Sequence, residues 1–297
     1  MRRTTPLRGS CALTLTAAAL YAGHAYPNTV SITVENLQAP GGLAATPIWF
    51  GAHDGSFDLF DVGSNSNAAL EAIAEDGNFA PVAAFFASET GGTGQGGVIT
   101  SPAGFPGAPV FEPGESVTQV LNLTSDQRFL TLAAMVLPSN DAFIGTDNAV
   151  QLFDAVGDFL GPQTLLFGGP GGAAIYDGGT EANTELDAAF LNQGGPNTGE
   201  TESNPISLHP GFIGSFGGPA LGPNGETASI LGGLLPNGET IDPAIADFTS
   251  PQFGPYLRVT IEAVPDPNII PTPSAAAAGF ALIGALVVRR RRQRESD

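Results

Sequence analysis

Val30-Ser31-Ile32-Thr33-Val34-Glu35 and Leu257-Arg258-Val259-Thr260-Ile261-Glu262 decide the fold class. In both, apolar and polar residues alternate. Successive side chains of a strand point to opposite faces, so this pattern buries one face and wets the other. One segment opens the body of the chain and the other closes it, which suits an antiparallel sandwich whose first and last strands lie in the sheets. Working inward, Ile48-Trp49-Phe50 and Phe129–Leu137 are continuous apolar runs and read as central strands. Val117–Leu123 is a further strand. Leu70 and Ile73 stand at helical spacing after Asn67, a capping residue, so a short helix is expected over Ala68–Ala74, and a second over Pro81–Phe86. Gly91–Gly97, Gly168–Gly172 and Gly211–Gly225 read as glycine-rich loops. The expected fold is all-β: one antiparallel β-sandwich over residues 26–264 with short helical insertions.

The composition agrees. Glycine and proline number 40 and 25 in 297 residues, normal for strands joined by many turns. Residues 26–270 carry 27 acidic groups against only Arg128 and Arg258, a formal charge of −25. Such a body repels phosphate backbones, which excludes nucleic acid as a partner, and attracts divalent cations. Acidity that serves only solubility is the plainer reading of the overall charge. It does not explain where the acids cluster. The chain has no lysine, so a phosphate-loop lysine, a Schiff base and a lysine general base are all excluded. The single cysteine, Cys11, falls in the leader, leaving the body without disulfide, thiol chemistry or cysteine metal site.

Each end reads as an address. Arg2, Arg3 and Arg8 precede an apolar run from Ala12 to Ala22, and Gly23-His24-Ala25 ends in small residues, the layout of a secretory signal over residues 1–25. At the other end, residues 265–273 form a short proline-rich stalk. Pro271-Thr272-Pro273-Ser274 then leads into the apolar stretch Ala275–Val288 and four consecutive arginines, Arg289 to Arg292. The order of these parts resembles the PEP-CTERM sorting signal, with Thr272 where that signal usually has Glu. The resemblance implies a terminal apolar helix over residues 274–297 that enters the membrane before processing, and an exosortase-type protease that removes it during export to the cell envelope, surface or matrix. A plain C-terminal membrane anchor is the alternative.

Two short acidic segments carry the chemistry: Asn140-Asp141-Ala142-Phe143 and Tyr176-Asp177-Gly178-Gly179-Thr180-Glu181. Each follows an apolar run, so the carboxylates sit where strands give way to loops. Carboxylates gathered at one end of a sandwich suit a hard cation with six to eight oxygen ligands. Gly178-Gly179 lets the backbone turn and aim acids on either side of it inward. Turn capping by Asp177 and Asn140 is the plainer reading. Asp54, Asp58 and Asp61 lack the alternating acids of a calcium-binding helix-loop-helix. Their block is assigned a structural role, through turn capping and packing of Phe57 and Phe60. His53 reads as a satisfied polar residue.

Four ordered blocks carry a wider resemblance: His53–Gly63, Leu70–Asn78, Pro138–Phe143 and Tyr176–Glu181, with Asp242–Phe248 closing the series. Across residues 28–264 the chain resembles the spondin-type domain of secreted bacterial proteins. That family is similar in fold to C2 domains, and its animal members are matrix adhesion proteins that bind calcium. The resemblance implies one Ca2+ site with Asp141, Asp177 and Glu181 as ligands. Glu181 stands where the family has Asp, so its carboxylate reaches one methylene further. The function implied is a noncatalytic, exported surface or matrix adhesion protein binding an extracellular glycan or protein. A calcium-dependent lectin-like module is the alternative, and a carboxylate-based glycoside hydrolase a weaker one. No Gly-x-Ser-x-Gly or His-Glu-x-x-His motif is present.

Overall fold

The computed structural model describes residues 28–101, 104–106, 108–196, 198–213 and 230–265. The leader, nearly all of the stalk, the sorting tail with its terminal apolar helix, and most of the Gly211–Gly225 loop lie outside the described residues. Among the described residues no helix is long and apolar enough to cross a membrane.

Among the described residues twelve strands and three short helices follow one another. The first part of the chain forms β1 (Thr29–Asn36), β2 (Ala44–Ala45), β3 (Ile48–His53), α1 (Ala68–Asp76), α2 (Ala80–Glu89), β4 (Gln95–Ile99), β5 (Ser116–Asn122) and β6 (Phe129–Leu137). The second part forms β7 (Ala142–Gly145), β8 (Val150–Gln151), β9 (Gln163–Phe167), β10 (Tyr176–Asp177), β11 (Ser207–Leu208), α3 (Pro243–Ala246) and β12 (Leu257–Ala263). They build two antiparallel sheets. One has the order β5-β1-β12-β9. The other runs β11-β10-β7-β6-β3-β4, with β2 and β8 also paired to β6. The expected all-β sandwich with short helical insertions is the observed fold.

The two alternating segments are not merely both in the sheets: they are neighbours. Val34 pairs with Val259 and Ile32 with Ile261, at the centre of the four-stranded sheet. Val30, Ile32, Val34, Val259 and Ile261 are buried, while Ser31, Thr33 and Glu35 reach the other face. Each such aliphatic side chain removed from water is worth about 1.5–3 kcal/mol. On the wet side Arg258 meets Glu35 at 2.7 Å.

The continuous apolar runs have a different cause. β3 and β6 pair with each other and are buried on both faces. Ile48, Phe50, Leu130 and Leu132 point into the core shared with the four-stranded sheet. Trp49 and Ala133 point the other way, into a second cluster with Leu70, Ile73, Val82 and Phe86 of α1 and α2. A strand covered on both sides has no polar face to alternate with. Asn67 caps α1 as expected, accepting from the amides of Ala69 and Leu70, and both helices run slightly longer than their periodicity suggests.

One expected loop is in part a strand. Gly96 and Gly97 of the Gly91–Gly97 stretch belong to β4, which pairs with β3 along the edge of the large sheet. A β-carbon on Gly97 would lie 2.7 Å from the Phe50 ring, and one on Gly94 2.4 Å from Phe86. Here the glycines make room for aromatic rings rather than for a turn.

The polar hub of the core is Asn36, at the end of β1. Its amide nitrogen donates to the carbonyls of Leu43 (2.8 Å) and Phe111 (3.0 Å), and its oxygen accepts from the Gln38 amide (3.0 Å). Asn36→Ala leaves the Leu43 carbonyl and the Gln38 N–H without partners, and the Phe111 carbonyl with only the Ala45 amide. It is expected to cost roughly 2–4 kcal/mol, read as a lowered urea midpoint with an unchanged slope.

Candidate metal centre

β6 ends at a cis Leu137–Pro138 bond, and the chain turns at once into β7. Ser139 holds the turn: its hydroxyl donates to the Val136 carbonyl (2.7 Å) and accepts from the Ala142 amide (3.1 Å). Asp141 is therefore delivered at the mouth of β7. β10 lies antiparallel beside β7, with Tyr176 opposite Phe143 and Asp177 opposite Ala142. This pairing sets Asp141 and Asp177 side by side at one end of the large sheet, and the Gly178 amide donates to the Asp141 carbonyl at 3.1 Å.

Asp141 is completely buried. Its Oδ2 accepts from the backbone amides of Thr180 (2.9 Å) and Glu181 (3.2 Å), and from the Thr180 hydroxyl (3.3 Å). Among the described residues its Oδ1 has no partner. Asp177 accepts from the Gly179 amide (2.8 Å) and from the Asn183 side chain (2.5 Å). Burial first, and then the neighbouring charge of Asp177, push the Asp141 carboxyl up to about 8. Burial also raises Asp177.

Glu181 joins this pair through its backbone, while its carboxylate faces elsewhere. One oxygen accepts from the Gly199 amide (3.1 Å), and the other, buried, has no partner among the described residues. Burial, followed by the charge of Glu75, pushes it up to about 7, against a smaller opposing effect of the Asn140 amide. The structure thus brings Asp141 and Asp177 together and turns the third expected ligand toward a second acid. Among the described residues, no three His, Cys, Asp or Glu side chains converge into a ready-made metal-holding group.

Three neighbours of this cluster had no role in the sequence. Glu75, in α1, is buried, and burial raises its pKa against a hydrogen bond from Thr180. Glu202 is raised by burial and faces Asp177. Together with Asp177 it lines a shallow depression of about 600 Å³ whose other walls are Val62, Gly63 and residues 204–208. Asn183 tethers Asp177. The only available signal was that Glu75 directly follows the buried positions Ile73 and Ala74.

Among the described residues no protein charge balances these acids. The body's two arginines are occupied elsewhere, Arg258 with Glu35 and Arg128 over the Phe129 ring at 5.7 Å. Buried carboxylates with unpartnered oxygens and no cationic neighbour among the described residues fit a hard cation by charge, donor type and burial.

The other acidic block has the structural role expected. Asp54, Asp58 and Asp61 are exposed. Asp54 caps a turn by accepting from the Ser56 amide (2.9 Å), and Phe57 and Phe60 are buried between the helices and the sheet. His53 is satisfied: Nε2 lies 3.0 Å from the Thr131 hydroxyl, and Nδ1 accepts from the Gly55 amide at 3.1 Å. No protein-family model matches this chain, and no curated protein matches it either.

The raised carboxyls make stability depend on pH. Asp141 keeps its proton up to about pH 8 in the folded chain, against an ordinary value of 3.8. The unfolded chain then binds fewer protons, and folding loses free energy as pH rises through that window. Without divalent cations, the melting temperature is expected to fall steadily from pH 4 to pH 8. A flat or rising profile in a pH-stepped thermal melt would refute the buried, uncompensated pair.

Proposed function

We propose that this is a noncatalytic, exported binding protein of the cell surface or extracellular matrix, with an acidic loop cluster held by one Ca2+. Asp141 and Asp177 would hold the ion, and the Glu181 carboxylate, which faces Glu75 and accepts from the Gly199 amide in the cation-free fold, would have to swing toward them to serve as the third ligand. Bound there, it would neutralise the carboxylates and tie the β6–β7 turn to the β10 segment. The observation that carries this reading is the fully buried Asp141 carboxylate, beside Asp177, with one oxygen unpartnered and no basic residue near among the described residues. The basic leader and the Pro-Thr-Pro-Ser tail support export, with a sorting protease acting on the tail. The partner is an extracellular glycan or protein, gripped by loops that the cation stiffens.

A glycoside hydrolase reading is less well supported. It needs an acid and a base flanking a sugar-sized cleft. The depression over Asp177 and Glu202 has no aromatic ring among its lining residues.

Calcium should raise the melting temperature of the parent, by an amount equivalent to about 2.7 kcal/mol at a hundred times Kd. Asp177→Asn should remove most of that rise while stabilising the calcium-free protein at pH 8, because it removes one of two mutually repelling buried charges. Because calcium must displace protons held by Asp141 and Glu181, binding at pH 7 should release protons. Isothermal titration in buffers of different ionisation enthalpy measures this. The absence of a calcium-dependent melt shift at millimolar concentration would leave these acids as turn caps.

A further inference from the structure

Glu181 is the expected third ligand of the cation site, yet its carboxylate is anchored away from Asp141 and Asp177. It accepts from the Gly199 amide, and a β-carbon on Gly199 would collide with it, so the carboxylate lies packed on the backbone there. After burial, the charges that raise it are those of Glu75 and Asp187. To reach the Asp141–Asp177 pair it must give up a hydrogen bond in a buried place.

A different acid stands on the right side. Residues 200–204 run antiparallel to residues 179–182. The Glu202 amide donates to the Thr180 carbonyl (2.8 Å), the Ala182 amide to the Glu200 carbonyl (2.7 Å) and the Asn204 amide to the Gly179 carbonyl (2.9 Å). Glu181 stands opposite Thr201, which sets Glu202 opposite Thr180. Opposed residues of such a ribbon share a face, and the next residue along points to the other. Thr180 turns its hydroxyl to Asp141 Oδ2 at 3.3 Å, so Glu202 shares the face turned to Asp141 and Glu181 does not. The electrostatics agree. After burial, the charges that raise Asp141 are those of Asp177 and Glu202, and Asp177 acts on Glu202 in turn.

Glu202 also has the access that Asp141 lacks. It is half-buried, and with Asp177 it lines the open depression of about 600 Å³. A cation arriving from solvent meets these two acids before it meets Asp141. The three carboxylates act on one another without being closed into a ligand set. Glu202 can close it by side-chain rotation, because the group that holds its carboxylate is the exposed Asn204 side chain.

We propose that Glu202, in place of Glu181, completes the cation site with Asp141 and Asp177. The assignment rests on the cation reading above and replaces its third ligand. Calcium accepts such an exchange, since it takes six to eight oxygens in flexible geometry. Bound this way, the ion would tie the 200–204 segment, as well as β10, to the β6–β7 turn.

The test titrates calcium alone into the full chain near neutral pH, by calorimetry, for the parent, Glu202→Gln and Glu181→Gln. Glu202→Gln is expected to weaken calcium binding by about tenfold or more, and Glu181→Gln by less than about threefold. Melting in chelator checks folding: Glu202→Gln removes a half-buried charge and should not lower the midpoint. In the parent, carbon NMR should show calcium moving the Glu202 Cδ resonance and leaving that of Glu181 in place, which a merely structural role for Glu202 would not produce. A tenfold loss in Glu181→Gln, equal affinity in the parent and Glu202→Gln, or a Glu202 resonance that calcium does not move overturns the assignment, while calcium binding by the parent leaves the cation reading standing. No calcium binding by the parent at millimolar concentration overturns both.

Discussion

The antiparallel pairing of β3 with β6, covered on both faces, is the constraint on which the rest of the molecule depends. One face of the pair meets the four-stranded sheet through Ile48, Phe50, Leu130 and Leu132. The other face, through Trp49 and Ala133, receives α1 and α2. The buried backbone of these strands can be satisfied only by partner strands, so β4, β7 and the short β2 and β8 follow from it. The acidic cluster inherits its position from the same strand. β6 delivers Asp141, β7 fixes β10, and β10 presents Asp177.

The elements that could be read from sequence are those where side chains alone determine the environment. β1 and β12 alternate because each has one wet face, and β3 and β6 run apolar because neither has. Asn67 caps α1 because few other residues satisfy two helix-end amides at once. β4 was hidden because its glycines answer to the Phe50 and Phe86 rings, which arrive from outside the strand, one from β3 and one from α2. The acidic segments were legible as positions, since Asp141 and Asp177 do fall at strand ends. The direction of the Glu181 carboxylate was not. It depends on Gly199, eighteen residues away, and on Glu75, more than a hundred residues away on α1.

The electrostatic economy of the body is unusual in that burial and charge are separated from any internal remedy. Elsewhere a buried acid finds an arginine, a lysine or several amides. Asp141 finds amides for one oxygen only, and the chain carries no lysine at all. Glu185 shows the contrasting solution. It is equally buried, at a strained φ of 58°, yet its carboxylate accepts from the amides of Ile213 and Ile230. One acid has backbone donors on both oxygens, while the other keeps one oxygen without a donor among the described residues.

The neighbourhood of β1 and β12 has a mechanical consequence. Val30 faces Ala263, and the Val264 amide donates to the Thr29 carbonyl, so the strand that opens the domain and the strand that closes it are joined at the same corner. Traction between those two points loads the hydrogen bonds of the pair one after another, like a zipper. Traction applied to β12 along its length from a distant loop must shear the whole ladder, including its bonds to β9, at once. The domain is therefore soft to being peeled from its ends and stiff to a load carried across it.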